Sequence, residues 1–215
     1  MKHYTLQLCA LLAISCTETD REEIPYPILI DYDEINDYQT SEFMNLEVGN
    51  YWVYDWYVEN EAGKLEWWRT DSTYVASTRK VGNQTIYLVV NDTRSVFGSP
   101  GSNSNSLFDS ANVIYSYPER EVMLTFSSEG VETFLNTPVP LPIHYEVERG
   151  ELSLSVPAGS FECINYRGSY IHPERGVDFT DNYYSRGVGL IQQNTQFQHN
   201  GQKVFRYLIR YGSTD

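Results

Sequence analysis

The chain predicts an all-β protein: a single antiparallel, strongly curved sheet, closed into a barrel or left as a half-barrel, of about ten strands. Three observations carry this. Apolar and polar side chains alternate with period two in segment after segment, from Tyr51 to Tyr211. Turn residues interrupt those segments at short intervals, as at Gly63, Gly82 and Gly159. No long stretch places its apolar residues on one helical face.

The first residues do not belong to that sheet. Lys2 precedes an apolar run from Leu6 to Ile14 that ends in small residues, which is the layout of a secretory signal. The run is about ten residues, roughly half of what a helix needs to cross a hydrocarbon core. Residues 1–15 are therefore expected to act as a signal peptide. Of the three cysteines, Cys9 leaves with that signal and Cys16 stands at its end. Cys163 is then the one structural candidate, and no disulfide is expected within the mature chain. It alternates with Phe161 in an apolar strand without a basic neighbour, which predicts a buried and unreactive thiol.

Residues 16–37 read as a tether. From Thr17 to Asp37 there are eight acids against the single base Arg21, a net charge of −7 out of −14 for the chain, and two prolines, Pro25 and Pro27. Self-repulsion and the prolines predict an extended, solvated spacer. Asp31, Asp33, Glu34 and Asp37 lack the glycine and the closing glutamate of a calcium loop, so no metal is expected there.

Residues 38–215 form the expected β domain. Tyr51 to Val58 puts Trp52, Tyr54, Trp56 and Val58 on one face; Asn60 to Lys64 turns the chain, and Leu65 to Ala76 returns. After a turn at Val81 to Asn83, Thr85 to Val90 is β-branched and apolar enough for a sheet interior. Arg94 to Ser106, rich in glycine, serine and asparagine, is expected to be a surface loop. Strands follow at Leu107 to Tyr117, Val122 to Phe126 and Glu132 to Leu135, the last with a helical turn over Glu129 to Leu135 as an alternative. Pro138, Pro140 and Pro142 predict an extended crossing. Leu152 to Val156 and Phe161 to Tyr170 make a hairpin about Pro157-Ala158-Gly159, and Arg175 to Asp178 a loop. Tyr183 to Gln193 passes through Gly187 and Gly189, which suggests a kinked strand or a close backbone approach, and Lys203 to Tyr211 reads as the final strand.

Four resemblances add to this reading. Ala13-Ile14-Ser15 before Cys16 resembles the bacterial lipobox, which implies cleavage before Cys16 and acylation of that cysteine. Two or three acyl chains, at about 0.8 kcal/mol per buried methylene, anchor a protein durably. The acids that follow Cys16 resemble the surface-export signal of Bacteroidetes lipoproteins, and a solvated spacer on the periplasmic side accounts for them equally. Gly49-Asn50-Tyr51-Trp52-Val53-Tyr54, Val156-Pro157-Ala158-Gly159-Ser160-Phe161-Glu162-Cys163 and Tyr183-Tyr184-Ser185-Arg186-Gly187-Val188-Gly189-Leu190-Ile191 together resemble a set of uncharacterised Bacteroidetes lipoproteins. More distantly the pattern is similar to the half-barrels of the LolA and LolB type, which hold acyl chains.

Candidate chemistry is sparse. No Gly-x-Ser-x-Gly elbow occurs, and His144, His172 and His199 lie far apart, so no catalytic residue is assigned. Neither cofactor nor metal is expected, because no His or Cys residues stand at ligand spacing. The net charge argues against nucleic acid as a partner. Aromatic residues are in excess, with 18 Tyr and four Trp. Trp52, Trp56, Trp67 and Trp68 are the candidate ligand-binding residues, as a platform for a sugar ring or an apolar ligand, against a purely structural role in the core. Adjacent Trp67 and Trp68 must point to opposite sides of their strand. The expected function is a non-enzymatic lipoprotein, lipid-anchored at the outer membrane on its periplasmic or cell-surface side, that binds a glycan, a lipid or an envelope protein. An envelope hydrolase acting on glycans, a lipid carrier and a purely structural scaffold are the alternatives.

Overall fold

A computed structural model describes residues 38–95, 101–110, 112–126, 131–135, 141–148, 150–197 and 200–214. The signal, Cys16 and the tether lie outside them. After a single-turn helix α1 (Thr40–Phe43) come thirteen strands: β1 (Asn50–Glu59), β2 (Leu65–Val81), β3 (Gln84–Ser95), β4 (Gly101–Ser110), β5 (Val113–Ser116), β6 (Val122–Thr125), β7 (Val131–Leu135), β8 (Leu141–Val147), β9 (Leu152–Val156), β10 (Gly159–His172), β11 (Gly176–Ser185), β12 (Gly189–Gln196) and β13 (Lys203–Ser213). They form one antiparallel sheet in the order β6-β5-β4-β3-β2-β1-β13-β12-β11-β10-β8-β7, with β9 beside β8 on the same edge of β10.

Two meanders therefore meet in mid-sheet, where first strand β1 pairs with last strand β13. The edges β6 and β7 do not pair among the described residues, so the sheet curls without closing. Several bulges, among them those at Val53/Tyr54 and Val75/Ser77, raise the local twist. The curl brings one half over the other. Phe126, just past β6, packs edge-on against Tyr166 of β10 and Tyr184 of β11, each with ring centroids 5.3 Å away. The concave face thus becomes the core, shared by Val75, Val89 and Leu107 from one meander and Ile164, Ile191 and Leu208 from the other.

Helix α1 plugs one end of that trough. Thr40 is fully buried; its hydroxyl donates to the Asn112 carbonyl at 2.6 Å and its N–H to the Asn112 side-chain oxygen. Asn112 sits at φ 66°, a left-handed conformation that asparagine tolerates better than most residues. Phe43, buried, meets Phe126 at 5.0 Å. On the other flank Gly187 N–H donates to the Glu42 carbonyl at 2.7 Å, and Arg186 pairs with Glu42.

Four sequence readings are corrected. The expected loop over Arg94 to Ser106 is largely strand: β3 runs to Ser95, and Gly101 to Ser106 lies in β4, paired with β3 from Thr93 to Leu88. Its side chains through Asn105 are exposed, so composition reports their solvation while the β3 ladder dictates their backbone. Leu107 to Tyr117 is a hairpin of β4 and β5 turned near Asn112. Tyr183 to Gln193 is likewise a hairpin, because a turn at Arg186 to Val188 separates β11 from β12. Gly189 there has φ 112°, and an added Cβ would lie 3.3 Å from Trp52 Nε1, so its glycine serves both conformation and close approach. Finally, β11 begins at Gly176, inside the expected loop. The segment Glu132 to Leu135 is strand, not a helical turn. Pro142 pairs with Phe134, before β8 begins pairing with β10 at His144, so its missing N–H leaves that ladder intact.

Cys163 is buried, and its thiol contacts the Phe161 carbonyl at 3.6 Å. Burial, reinforced by Glu162 and Glu151, pushes the thiol up to about 12. At pH 8 the native protein is therefore expected to react with a thiol-exchange reagent roughly a thousandfold more slowly than the urea-unfolded chain. Equal labelling rates in the two states would contradict this burial.

Candidate functional site

The core is apolar at the end that α1 plugs, but the same concave face turns polar along the sheet. Cross-strand register sets a row there: Arg69 of β2 lies opposite Trp56 of β1, Trp56 opposite Arg206 of β13, Arg206 opposite Gln193 of β12, Gln193 opposite Asn182 of β11, and Asn182 opposite Tyr166 of β10. Directly opposed residues on antiparallel strands share a face. Trp56 shares its face with Trp52 and Tyr54 of the core, so the whole row faces inward.

A bulge brings a further ring to this row. In the β1·β2 ladder Tyr57 pairs with Trp67 and Trp56 with Arg69, which leaves Trp68 as the extra residue. Trp68 consequently joins Trp56 at 6.2 Å with perpendicular rings, and its far side meets Phe197 at 5.5 Å. Arg69 nests in the angle between the indoles, its guanidinium carbon 4.4 Å from each ring centroid. Arg206 lies over Tyr54 at 3.8 Å and Trp56 at 5.1 Å. The result is an alternating ladder of rings and cations, Trp68, Arg69, Trp56, Arg206, Tyr54. Each cation–ring contact contributes about 0.5–2 kcal/mol, more where water is excluded.

One carboxylate serves this ladder. Asp71 is buried and accepts from Arg206 Nη2 at 3.1 Å and from Trp56 Nε1 at 2.7 Å. Arg69, by contrast, forms no hydrogen bond or ion pair among the described residues. Its Nε is buried without a partner, although the residue as a whole is partly exposed. Arg206 Nε is also buried and unpartnered. Burial lowers the Arg69 guanidinium below its ordinary value; Asp71 opposes that shift and Arg206 reinforces it. An arginine nonetheless stays charged at neutral pH. The Tyr54 hydroxyl, which donates to the Leu190 carbonyl at 3.1 Å, is shifted far upward by burial and by Asp71, against the pull of Arg206. The ladder thus carries two guanidinium charges against one carboxylate, in a chain whose net charge is −14.

The four candidate tryptophans separate. Trp56 and Trp68 meet in the ladder. Trp52 is a core residue whose Nε1 donates to the Val188 carbonyl at 2.5 Å. Trp67, 47% exposed, points to the opposite face from Trp68 and donates to Asp55 Oδ1 at 3.3 Å. Arg69, Asp71 and Arg206 were not among the candidates. The visible signals were Arg69 directly after the Trp-Trp pair and Arg206 alternating with Phe205 and Tyr207, yet nothing local shows that they meet Trp56.

Elsewhere polar residues pair with one another, although the buried Asn165 Oδ1 has no hydrogen-bond partner among the described residues. Asn165, buried on the outer face, donates through Nδ2 to Glu148 at 2.6 Å and to Asp181 at 2.9 Å, and Arg167 pairs with both carboxylates. A depression of about 270 Å³ on the outer face is lined by Ser77, Arg79, Ile86, Leu88 and Ser106, with Arg79 over Tyr117. No three His, Cys, Asp or Glu side chains group as metal ligands among the described residues. His144 is exposed, the His172 Nδ1 accepts from Glu174 N–H at 3.1 Å, and His199 lies outside the described residues.

The class these features define is an open, strongly curled, all-antiparallel half-barrel with a cation–aromatic ladder on its concave face. No protein-family model matches the chain, and no curated protein matches it. Two solved structures are similar in shape. One, described as a candidate lipoprotein of Parabacteroides distasonis, has a TM-score of 0.51 at 15% identity, covering 78% of this chain and 96% of its own. The other, a candidate exported protein with a YmcC-like fold from Bacteroides fragilis, has a TM-score of 0.49 at 12% identity, covering 78% of this chain and 97% of its own. The first likeness establishes a shared fold.

Proposed function

We infer that this chain is an envelope lipoprotein, anchored through acylated Cys16, whose curled sheet binds a ligand without transforming it. The binding site is the concave ladder of Trp56, Trp68, Arg69, Asp71 and Arg206. One observation carries the reading: the Arg69 guanidinium is set between two indoles, yet it forms no hydrogen bond or ion pair among the described residues. A preorganised charged fork beside aromatic rings is a recognition device. The lipobox-like Ala13-Ile14-Ser15-Cys16 and the acidic tether supply the anchor and the reach.

Two observations favour binding over hydrolysis or acyl-chain transport. The carboxylates that converge, Glu148 and Asp181, share Arg167 and Asn165 on the outer face and are thereby engaged in an ion-pair network. The apolar end of the trough is filled by Phe43, Phe126, Ile164, Ile191 and Leu208, which occupy the place of an acyl chain.

The anchor is tested by expressing the full chain in a bacterium with radiolabelled palmitate. The wild type is expected to incorporate label and sediment with membranes, and Cys16→Ala to lose both. An unlabelled, soluble wild-type protein would remove the lipoprotein assignment. The site is tested in the same protein by titrating intrinsic tryptophan fluorescence with glycan and lipid probes; signals that survive intact in a Trp56→Phe, Trp68→Phe double variant would place binding elsewhere.

A further inference from the structure

We propose that the ladder recognises an acidic sugar, its carboxylate gripped by Arg69 and its ring lying beside Trp56 and Trp68. The inference rests on the binding role assigned above and names the ligand class for that site.

The two arginines differ in their partners. Arg206 has its carboxylate, Asp71, on one side and the Tyr54 ring on the other. Arg69 lies against two rings and hydrogen-bonds to no carboxylate among the described residues. Cation–ring contacts stabilise the guanidinium charge but give its N–H groups no carboxylate partner. The N–H edge is the part that pairs with a carboxylate through two parallel hydrogen bonds. The Trp56 and Trp68 rings pack against the Arg69 guanidinium from two directions, which reduces the side-chain freedom to be lost on binding. Asp71 is already shared by Arg206 and Trp56 Nε1, which leaves a net positive charge at the ladder for an incoming anion.

The surroundings select a sugar over an acyl chain. Beyond Arg206 the same row continues through Gln193, whose Nε2 donates at 2.6 Å to Oδ1 of Asn182, itself buried and bonded through Nδ2 to the Tyr166 carbonyl at 3.0 Å. Amide side chains match hydroxyl groups and not methylene chains. Partly exposed indoles beside them offer apolar surface to the C–H faces of a sugar ring. A purely structural stack of arginine on tryptophan would show no preference between an acidic oligosaccharide and its neutral counterpart, and this separates the two accounts.

The experiment is calorimetric titration of the full-length protein in detergent with trigalacturonate, maltotriose and, separately, phosphatidylglycerol and phosphatidylcholine vesicles. The expected result is binding of trigalacturonate roughly tenfold or more above maltotriose, as the charged hydrogen bonds require. Arg69→Met, which keeps the aliphatic stem against the indoles, is expected to abolish that preference. Arg69→Lys, with a point charge in place of the fork, is expected to recover only part of it. Equal affinity for the two oligosaccharides in the wild type would overturn the acidic-sugar assignment while leaving a binding role. Arg69-dependent binding to phosphatidylglycerol alone would replace the sugar by a lipid headgroup. No response to any of the four probes would overturn both the assignment and the binding reading. The comparison of wild-type affinities decides the matter even where a variant fails to fold.

Discussion

Phe126→Ala is expected to lower the free energy of unfolding by about 3–5 kcal/mol. Phe126 is 1% exposed and meets three rings that come from three different places in the chain: Phe43 of the helical plug, Tyr166 of β10 and Tyr184 of β11. It sits at the end of β6, an outer strand of a sheet that does not close through hydrogen bonds among the described residues. What holds the curl is therefore side-chain packing, and this residue is where the two halves touch. Removing the ring leaves a cavity whose walls belong to distant elements and cannot collapse without moving the sheet. Urea denaturation followed by circular dichroism measures the effect as a lowered midpoint. Met123→Ala, three residues earlier and 49% exposed, serves as the control and is expected to shift stability by no more than about 0.5 kcal/mol. Equal effects of the two substitutions would show that the curl does not depend on this contact.

The second large effect is expected at Asp71. Asp71→Ala removes the only carboxylate of the ladder, leaves Arg206 buried without its ion pair and strips Trp56 Nε1 of its acceptor. The Asp71 and Arg206 side chains are 11% and 16% exposed, so solvent replaces the lost charge poorly. Breaking one side of such a buried pair costs about 3–5 kcal/mol. Arg206→Met in the same background is expected to restore much of that loss, because an apolar chain of similar volume carries no uncompensated charge. A double-mutant cycle on unfolding free energies reads the coupling. Additive effects of the two substitutions would mean that the ion pair contributes nothing beyond its separate halves.

The same two residues show where sequence reasoning reaches its limit. Asp71 lies in Asp71-Ser72-Thr73, a tripeptide with no local sign of a buried partner, and Arg206 lies 135 positions away. Only the pairing of β1 with both β2 and β13 brings them together on either side of Trp56. Trp68 depends on a finer detail still. Alternation from Trp67 points it inward, but only a one-residue bulge in β2 keeps Arg69 on that same face beside it, where unbroken alternation would separate the two.

What the amino-acid sequence determined by itself is everything set by neighbours along the chain. Period-two alternation specifies strands such as β1, β9 and β13, turn residues specify the hairpin at Pro157-Ala158-Gly159, and the pairing of apolar residues with Cys163 specifies a buried thiol. The opposed directions of Trp67 and Trp68 follow from the same local geometry. The tertiary structure alone decided the properties that depend on strand partners: that Gly101 to Ser106 is strand, that β11 and β12 separate at Gly187, that the sheet curls until Phe126 reaches Tyr166, and that Arg69 lies between two indoles with no carboxylate. Strand conformation is a choice each segment can make from its own side chains, whereas register, bulges and the opposition of faces arise from backbone hydrogen bonds between segments that carry no mark of one another.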